Sequence, residues 1–277
     1  MDAQSVVGQG HQQQEQPEET KTRPTVSVTP VEKENPQITL QAKFISGLKA
    51  DCANNIFFLD EKHVVYPAGH NIVIYNFEEK TQKIYPGIEG SEGFTAMALS
   101  ENRKTLAVAE KSDKVPLLTI YKVENDRAAN DDPNKAADSV VLRRKRFMCS
   151  TEVKSHKSWV SMAFNRHKDN LLATLSSEPE QNVYIWMVDK MRYVVHQSIT
   201  HHDNRGLGTQ VQFSSLDPDV LIVTGNQTYK YFVRKDERLT WINKPTDKKE
   251  FSHISKNYTA HCWLVYPGQA LVFAHEV

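Results

Sequence analysis

Short runs of apolar and β-branched residues along this chain each lead to one aromatic and then to a polar turn. The phrase appears four times, as Ile72-Val73-Ile74-Tyr75, Leu118-Thr119-Ile120-Tyr121, Val183-Tyr184-Ile185-Trp186 and Tyr229-Lys230-Tyr231-Phe232. Its aromatics stand at 75, 121, 186 and 232, so the steps are 46, 65 and 46 residues. The long middle step holds a polar insert at about 124–139, and without it that step returns to roughly one period. A repeat of about 40–50 residues built from several short strands predicts a β-propeller.

The rest of each unit keeps the same phase. A strand ending in small or apolar residues comes first: Thr95–Ser100, Val160–Asn165 and Thr209–Ser214. A polar turn and a second apolar run follow, at Thr105–Ala109, Leu171–Leu175 and Val220–Thr224. Leu99 to Tyr121 and Phe164 to Trp186 both span 22 residues. With an outer strand such as Arg192–Val195, this gives four antiparallel strands per unit, which is one blade. A degenerate first unit covers Ile56–Tyr85, and a fifth begins at Tyr258–Leu264 and stops at Val277 inside its second strand.

The fold expected is all-β: a WD-repeat-like β-propeller of about four blades plus a partial fifth, an incomplete ring within residues 37–277. A β-sandwich also shows closely spaced strands, but not this fixed order with an aromatic at one phase. Such an array leaves apolar faces uncovered, so the chain reads as part of a longer protein. The alternating stretch Ile38–Ile45 is expected as the outer strand that closes the last blade. Residues 1–36, rich in Gln, Glu, Pro and Thr, read as a disordered polar tail.

Composition narrows the function. With 34 basic and 34 acidic residues the formal net charge is zero, so no global field points to nucleic acid or an anionic membrane. No apolar run approaches the roughly 18 residues of a spanning helix, and the N-terminus lacks a signal-peptide core. Three cysteines in unrelated contexts, Cys52, Cys149 and Cys262, argue against a disulfide framework and fit a reducing compartment.

Catalytic signals are absent: there is no G-x-S-x-G elbow and no Walker-type glycine loop, so a non-enzyme without cofactor is expected. The glycines Gly87, Gly90, Gly93, Gly206 and Gly208 read as turn residues between blades. His201-His202-Asp203 is the one metal-like cluster, but adjacent residues on a strand alternate sides. His261-Cys262 is too distant in sequence to complete a tetrahedral zinc site. The four aromatics Tyr75, Tyr121, Trp186 and Phe232 are expected to pack between blades rather than to line a ligand cage.

Arg143-Arg144-Lys145-Arg146 is the sharpest local feature. It follows an insert carrying Asp126, Asp131, Asp132 and Asp138 and lies on an outer strand. Charge there guards a sheet edge against unwanted pairing, and it also forms a small basic patch able to dock on an acidic partner.

The third unit resembles the WD-repeat consensus. His156 stands four residues before Val160, as the repeat's histidine stands before its inner strand, with Ser155 in place of the usual Gly. Trp186 takes the Trp of the Trp-Asp pair, Met187 replaces the Asp, and Glu180 stands where the turn Asp normally would. Together, His156 and Glu180 are the expected remnant of the hydrogen-bond network that locks such blades. Over residues 38–277 the chain also resembles the axonemal family of cilia- and flagella-associated WD-repeat proteins. That likeness is carried by Asn54–Glu61, Lys80–Gly87, Arg143–Arg146 and Val223–Asn226 in their order and spacing. It implies tandem propellers and a coiled coil able to dimerise, in a scaffold on the ciliary axoneme. The partners implied are inner dynein arms or their regulators and doublet microtubule components. The alternative is a general cytosolic WD-repeat adaptor in another complex.

Overall fold

Because each apolar run is buried on two sides, the residues form stacked sheets rather than one layered domain. The computed structural model describes residues 43–125, 140–149, 156–199, 206–242, 257–264 and 271–275. They contain no helix and lie in one compact unit, Ala42–Val277. The tail, most of the insert, His201–Asp203 and the side chain of Arg146 fall outside the described residues.

Four antiparallel sheets of four strands follow one another in the chain. Blade 1 is β1 (Phe57–Phe58), β2 (His63–Ala68), β3 (Asn71–Asn76) and β4 (Thr81–Pro86). Blade 2 is β5 (Gly93–Leu99), β6 (Thr105–Lys111), β7 (Leu117–Asn125) and β8 (Val140–Cys149). Blade 3 is β9 (Trp159–Phe164), β10 (Leu171–Ser176), β11 (Asn182–Met187) and β12 (Arg192–Ser198). Blade 4 is β13 (Leu207–Phe213), β14 (Val220–Asn226), β15 (Thr228–Lys235) and β16 (Arg238–Ile242). A two-stranded fifth sheet joins β17 (Tyr258–Trp263) to β18 (Leu271–His275). The first strands sit side by side, β5 against β9, β9 against β13 and β13 against β17. This is an open, WD-like propeller array.

Local chemistry sets the turns. After each inner strand a short polar side chain closes the link to the second strand. Asp60 Oδ1 accepts from the N–H groups of Lys62 and His63, both at 2.8 Å. Asn165 Oδ1 does the same for His167 and Lys168 at 2.9 and 3.0 Å. Ser100 Oγ accepts from Thr105 N–H at 3.0 Å, and Ser214 Oγ from Leu216 N–H at 3.2 Å.

The core is a series of layers between blades, because alternate residues of one strand face opposite neighbours. On β6, Leu106 and Val108 pack toward blade 1 while Ala107 and Ala109 pack toward blade 3. On β11, Tyr184 and Trp186 face blade 2, and Val183 and Ile185 face blade 4. Sizes are matched across the second layer: Ala96, Ala98, Ala107 and Ala109 of blade 2 meet Trp159, Met162, Tyr184 and Trp186 of blade 3. Trp159 stands edge-on to Trp186 with ring centroids 5.8 Å apart.

Three expectations need correction. Of the expected strand Ile38–Ile45, 38–42 lie outside the described residues and 43–45 form no strand; instead Gln82 accepts from Ile45 N–H at 2.8 Å and donates to its C=O at 3.0 Å, taking the groups a ladder would use. Gly208 is not a turn residue but lies inside β13. A Cβ there would come 2.8 Å from Ile199 Cδ1 and 2.9 Å from Val223 Cγ1, so glycine allows blades 3 and 4 to approach. The insert is also shorter than expected at its start, since Glu124 and Asn125 belong to β7.

Candidate interaction surfaces

The repeated aromatics occupy one structural position, the third strand on the face toward the preceding blade. Tyr121, Trp186 and Phe232 are buried there. Tyr75 is half-buried, because its neighbours Ile72 and Ile74 face blade 2 and it therefore looks away from that layer. Trp186 Nε1 donates to Thr174 Oγ1 at 2.8 Å within the blade. These rings pack against apolar and alanine side chains and surround no described cavity.

His156 is buried above the same blade. Its Nδ1–H donates to Ser177 C=O at 3.1 Å, and Asn182 Nδ2 donates to its Nε2 at 3.3 Å. Burial holds the ring below the ordinary histidine value, opposed by the Ser177 carbonyl and the charge of Glu180. Asn182 reaches His156 with its side chain, whereas Glu180 supplies its main-chain carbonyl to Asn182 Nδ2 at 2.9 Å. Glu180 itself is exposed.

The basic run lies on β8, the outer strand of blade 2, with Arg143, Arg144 and Lys145 exposed. A register shift opposite Ile120 and Tyr121 divides it. Arg143 Nε meets Glu124 Oε2 at 3.0 Å, and Lys145 Nζ lies 3.8 Å from Asp189 Oδ1. The Arg144 guanidinium sits 5.8 Å from the centre of the Tyr121 ring. Arg143, Arg144 and Lys145 are thus each engaged by a neighbouring side chain.

Two histidine clusters bring polar groups close enough to bear on acid–base chemistry. His63 Nδ1 lies 2.9 Å from both oxygens of Asp60, and Asn76 Nδ2 is 3.2 Å from its Nε2. Both ring nitrogens are thus engaged beside a small hollow of about 30 Å³ that also touches Thr81, Lys83 and Val140. At the joint of blades 1 and 2, Ser91 Oγ stands 2.6 Å from His70 Nε2. Buried Glu110 is 3.6 Å from that same nitrogen rather than from Nδ1, so the three do not form a relay. Glu110 accepts from Ile88 N–H at 3.1 Å and braces the loop that enters blade 2. Among the described residues no group of three metal-ligating side chains converges, and no helix is long and apolar enough to cross a membrane. Cys52 and Cys262 are free thiols, and burial pushes that of Cys52 up to about 12.

Sequence reading missed the glutamine clamps. Gln181 Oε1 accepts from Gly208 N–H at 2.7 Å while its Nε2 donates to Gly208 C=O at 2.9 Å. Gln210 binds both main-chain groups of His261 in the same way, at 2.8 and 3.1 Å. Nothing in the sequence distinguishes these glutamines from solvated ones.

The fold and these surfaces define a divergent WD-like array whose polar clusters brace blades and turns. No known protein-family profile matches the chain. It is a distant relative of proteins named cilia- and flagella-associated protein 57. The mouse protein is 29% identical over 227 residues, 82% of this chain and 16% of its own length. From Tetrahymena thermophila, form C is 24% identical over 76% of the chain and 15% of its own length. Form A is 27% identical over 82% of the chain and 20% of its own length. The chain thus spans about a fifth or less of these relatives.

Proposed function

We propose that this chain is part of a non-catalytic WD-repeat scaffold of the ciliary or flagellar axoneme that helps to anchor inner dynein arms or their regulators to the doublet microtubule. The observation that carries the reading is the similarity to three proteins named for cilia and flagella, across about four-fifths of the chain. The interblade layers support it, since a body packed this way presents loops and edges in fixed relation, as an anchor requires. In this reading the exposed residues of β8 meet an acidic segment on the partner, exchanging Glu124 and Asp189 for its carboxylates.

The test is localisation of the tagged endogenous protein, followed by detergent and high-salt extraction of isolated cilia. Retention after detergent with release only in high salt is the expected result. A diffuse cytosolic signal with none in cilia refutes the axonemal role. For β8, the triple change Arg143→Ala, Arg144→Ala and Arg146→Ala is expected to lower the salt needed for release; unchanged salt resistance refutes docking through this strand.

A further inference from the structure

Between blades 2 and 3 the first strands meet through apolar side chains, with Ala96 and Ala98 of β5 in one cluster with Met162 and Phe164 of β9. The repeat puts Gln210 and Gln212 of β13 at the positions of the two alanines. Contact fixes the match one blade further on. Ser161 Oγ accepts from Val211 N–H at 3.2 Å, and Gln210 Oε1, at the place of Ser161, accepts from His261 N–H at 2.8 Å. His261 of β17 therefore stands where Met162 and Val211 stand, and Trp263 where Phe164 and Phe213 stand.

Alternation along the strands sets which way these side chains face. Val211 and Phe213 pack in the layer toward blade 3, so Gln210 and Gln212 face the fifth sheet. His261 Nδ1 lies 2.7 Å from Thr224 Oγ1 of blade 4, so Trp263, two residues on, faces blade 4 as well. Four positions that are apolar between blades 2 and 3 are thus polar between blade 4 and the fifth sheet. Each of the three earlier layers has an apolar cluster bridging its two blades; among the described residues none bridges this one.

Gln212 Oε1, His261 Nε2 and Trp263 Nε1 are buried in this layer and meet no hydrogen-bond partner among the described residues. Leaving such atoms unpaired is costly. Their chemistry selects what can pair them. An indole N–H only donates, which is unsuited to a cation, and an amide oxygen only accepts, which is unsuited to an anion. Burial pushes the His261 ring down to about 4, so at pH 7 the ring is neutral too. A small neutral molecule that both donates and accepts fits all three, and internal water ordinarily makes about three hydrogen bonds of this kind.

We propose that the layer between blade 4 and the fifth sheet is a water-binding site, in which a buried water accepts from Trp263 Nε1–H, donates to Gln212 Oε1 and completes its bonds on His261 Nε2. The fifth sheet is then joined to the array through water where the earlier layers are joined through apolar contact. This goes beyond the axonemal reading and does not depend on it.

The test uses the full chain with isotope-labelled tryptophan, whose four indole N–H groups give separate NMR signals. Trp263→Phe and Trp159→Phe assign the two that matter. Trp159 Nε1 is the internal control, since it is equally buried and unpartnered but lies in the apolar layer between blades 2 and 3. Through-space magnetisation transfer from water is expected at Trp263 Nε1–H and not at Trp159 Nε1–H. Gln212→Met keeps the bulk and removes the oxygen, and should lower the transfer at Trp263 about threefold or more. No transfer at Trp263, equal transfer at the two indoles, or transfer unchanged in Gln212→Met overturns the proposal. If Gln212→Met fails to fold, the comparison of the two indoles in the wild type decides it.

Discussion

Replacing Trp186 by alanine tests whether the recurring aromatic is a packing element. The side chain is 3% exposed, and a tryptophan of this kind buries about 150–250 Å². At about 25 cal/mol per Å² that corresponds to roughly 4–6 kcal/mol, and measured truncations of buried aromatics cost about 3–5 kcal/mol. The facing surface of blade 2 is built from Ala96, Ala98, Ala107 and Ala109 together with Leu118 and Ile120, and the alanines are too short to move into the space. The loss should therefore lie near the upper end. Thr174 Oγ1, on a residue with no exposure, also loses its donor, adding about 1 kcal/mol. Trp186→Phe keeps most of the apolar area but not the N–H, and should cost only about 1–2 kcal/mol beyond the smaller ring's contacts. Urea unfolding with unchanged slope reads both values. A loss below about 1 kcal/mol for the alanine variant refutes the packing role, and equal losses for the two variants refute the division between area and hydrogen bond.

Gln181→Ala leaves the buried N–H and C=O of Gly208 without their clamp, and should cost about 2–3 kcal/mol in the same assay; the exposed Gln197→Ala is the control, expected within about 0.5 kcal/mol. Lys230 is buried, with its ammonium bonded to Ile199 C=O and 5.2 Å from the centre of the Trp241 ring, and burial pushes its amine below the ordinary lysine value. The folded state thus binds this proton less tightly than the unfolded state, so the wild type should gain stability relative to Lys230→Met as pH rises through the lowered value toward 10.5; a pH-independent difference in Tm refutes this. Glu110 has the opposite sign: burial pushes its carboxyl up, against Ile88 N–H, His70, Arg144 and Ser91. The wild type should therefore gain stability relative to Glu110→Gln as pH falls from 7 through the raised value toward 4.5, and a constant Tm difference between the two across that range refutes the assignment.

The blade order was legible because each strand keeps its phase over the whole chain. The strands around Leu99, Phe164 and Phe213, and the aromatics that follow, read from sequence as the structure builds them. What sequence hid was side-chain mimicry of main chain. Gln82, Gln181 and Gln210 each bind an N–H and a C=O of one residue, a task that depends on the neighbouring blade's distance and leaves no periodic trace. The bridge between Ala53 and Ala96 escaped for the same reason, since a one-residue pairing has no alternation to detect. Glu180 was chosen as the turn partner of His156 by its spacing, but the side-chain contact falls to Asn182, where β11 begins.

The charges of β8 decide how much of the proposed docking is energetically available. Arg143 and Lys145 already face Glu124 and Asp189, and all four side chains are more than one-third exposed. Exposed pairs of this kind contribute about 0–1 kcal/mol, so a partner carboxylate can replace an internal one at little cost, but it gains equally little from each exchange. Affinity must then come from apolar or main-chain contacts, with β8 governing encounter rate and orientation. Arg144 differs, because its guanidinium covers Tyr121 beside the layer between blades 1 and 2; its loss exposes an aromatic as well as removing a charge. Arg144→Ala should therefore lower stability modestly while Arg143→Ala leaves it unchanged. If salt shifts the association rate of the Arg143→Ala variant as steeply as that of the wild type, the strand is an edge guard and the contact with the partner lies elsewhere.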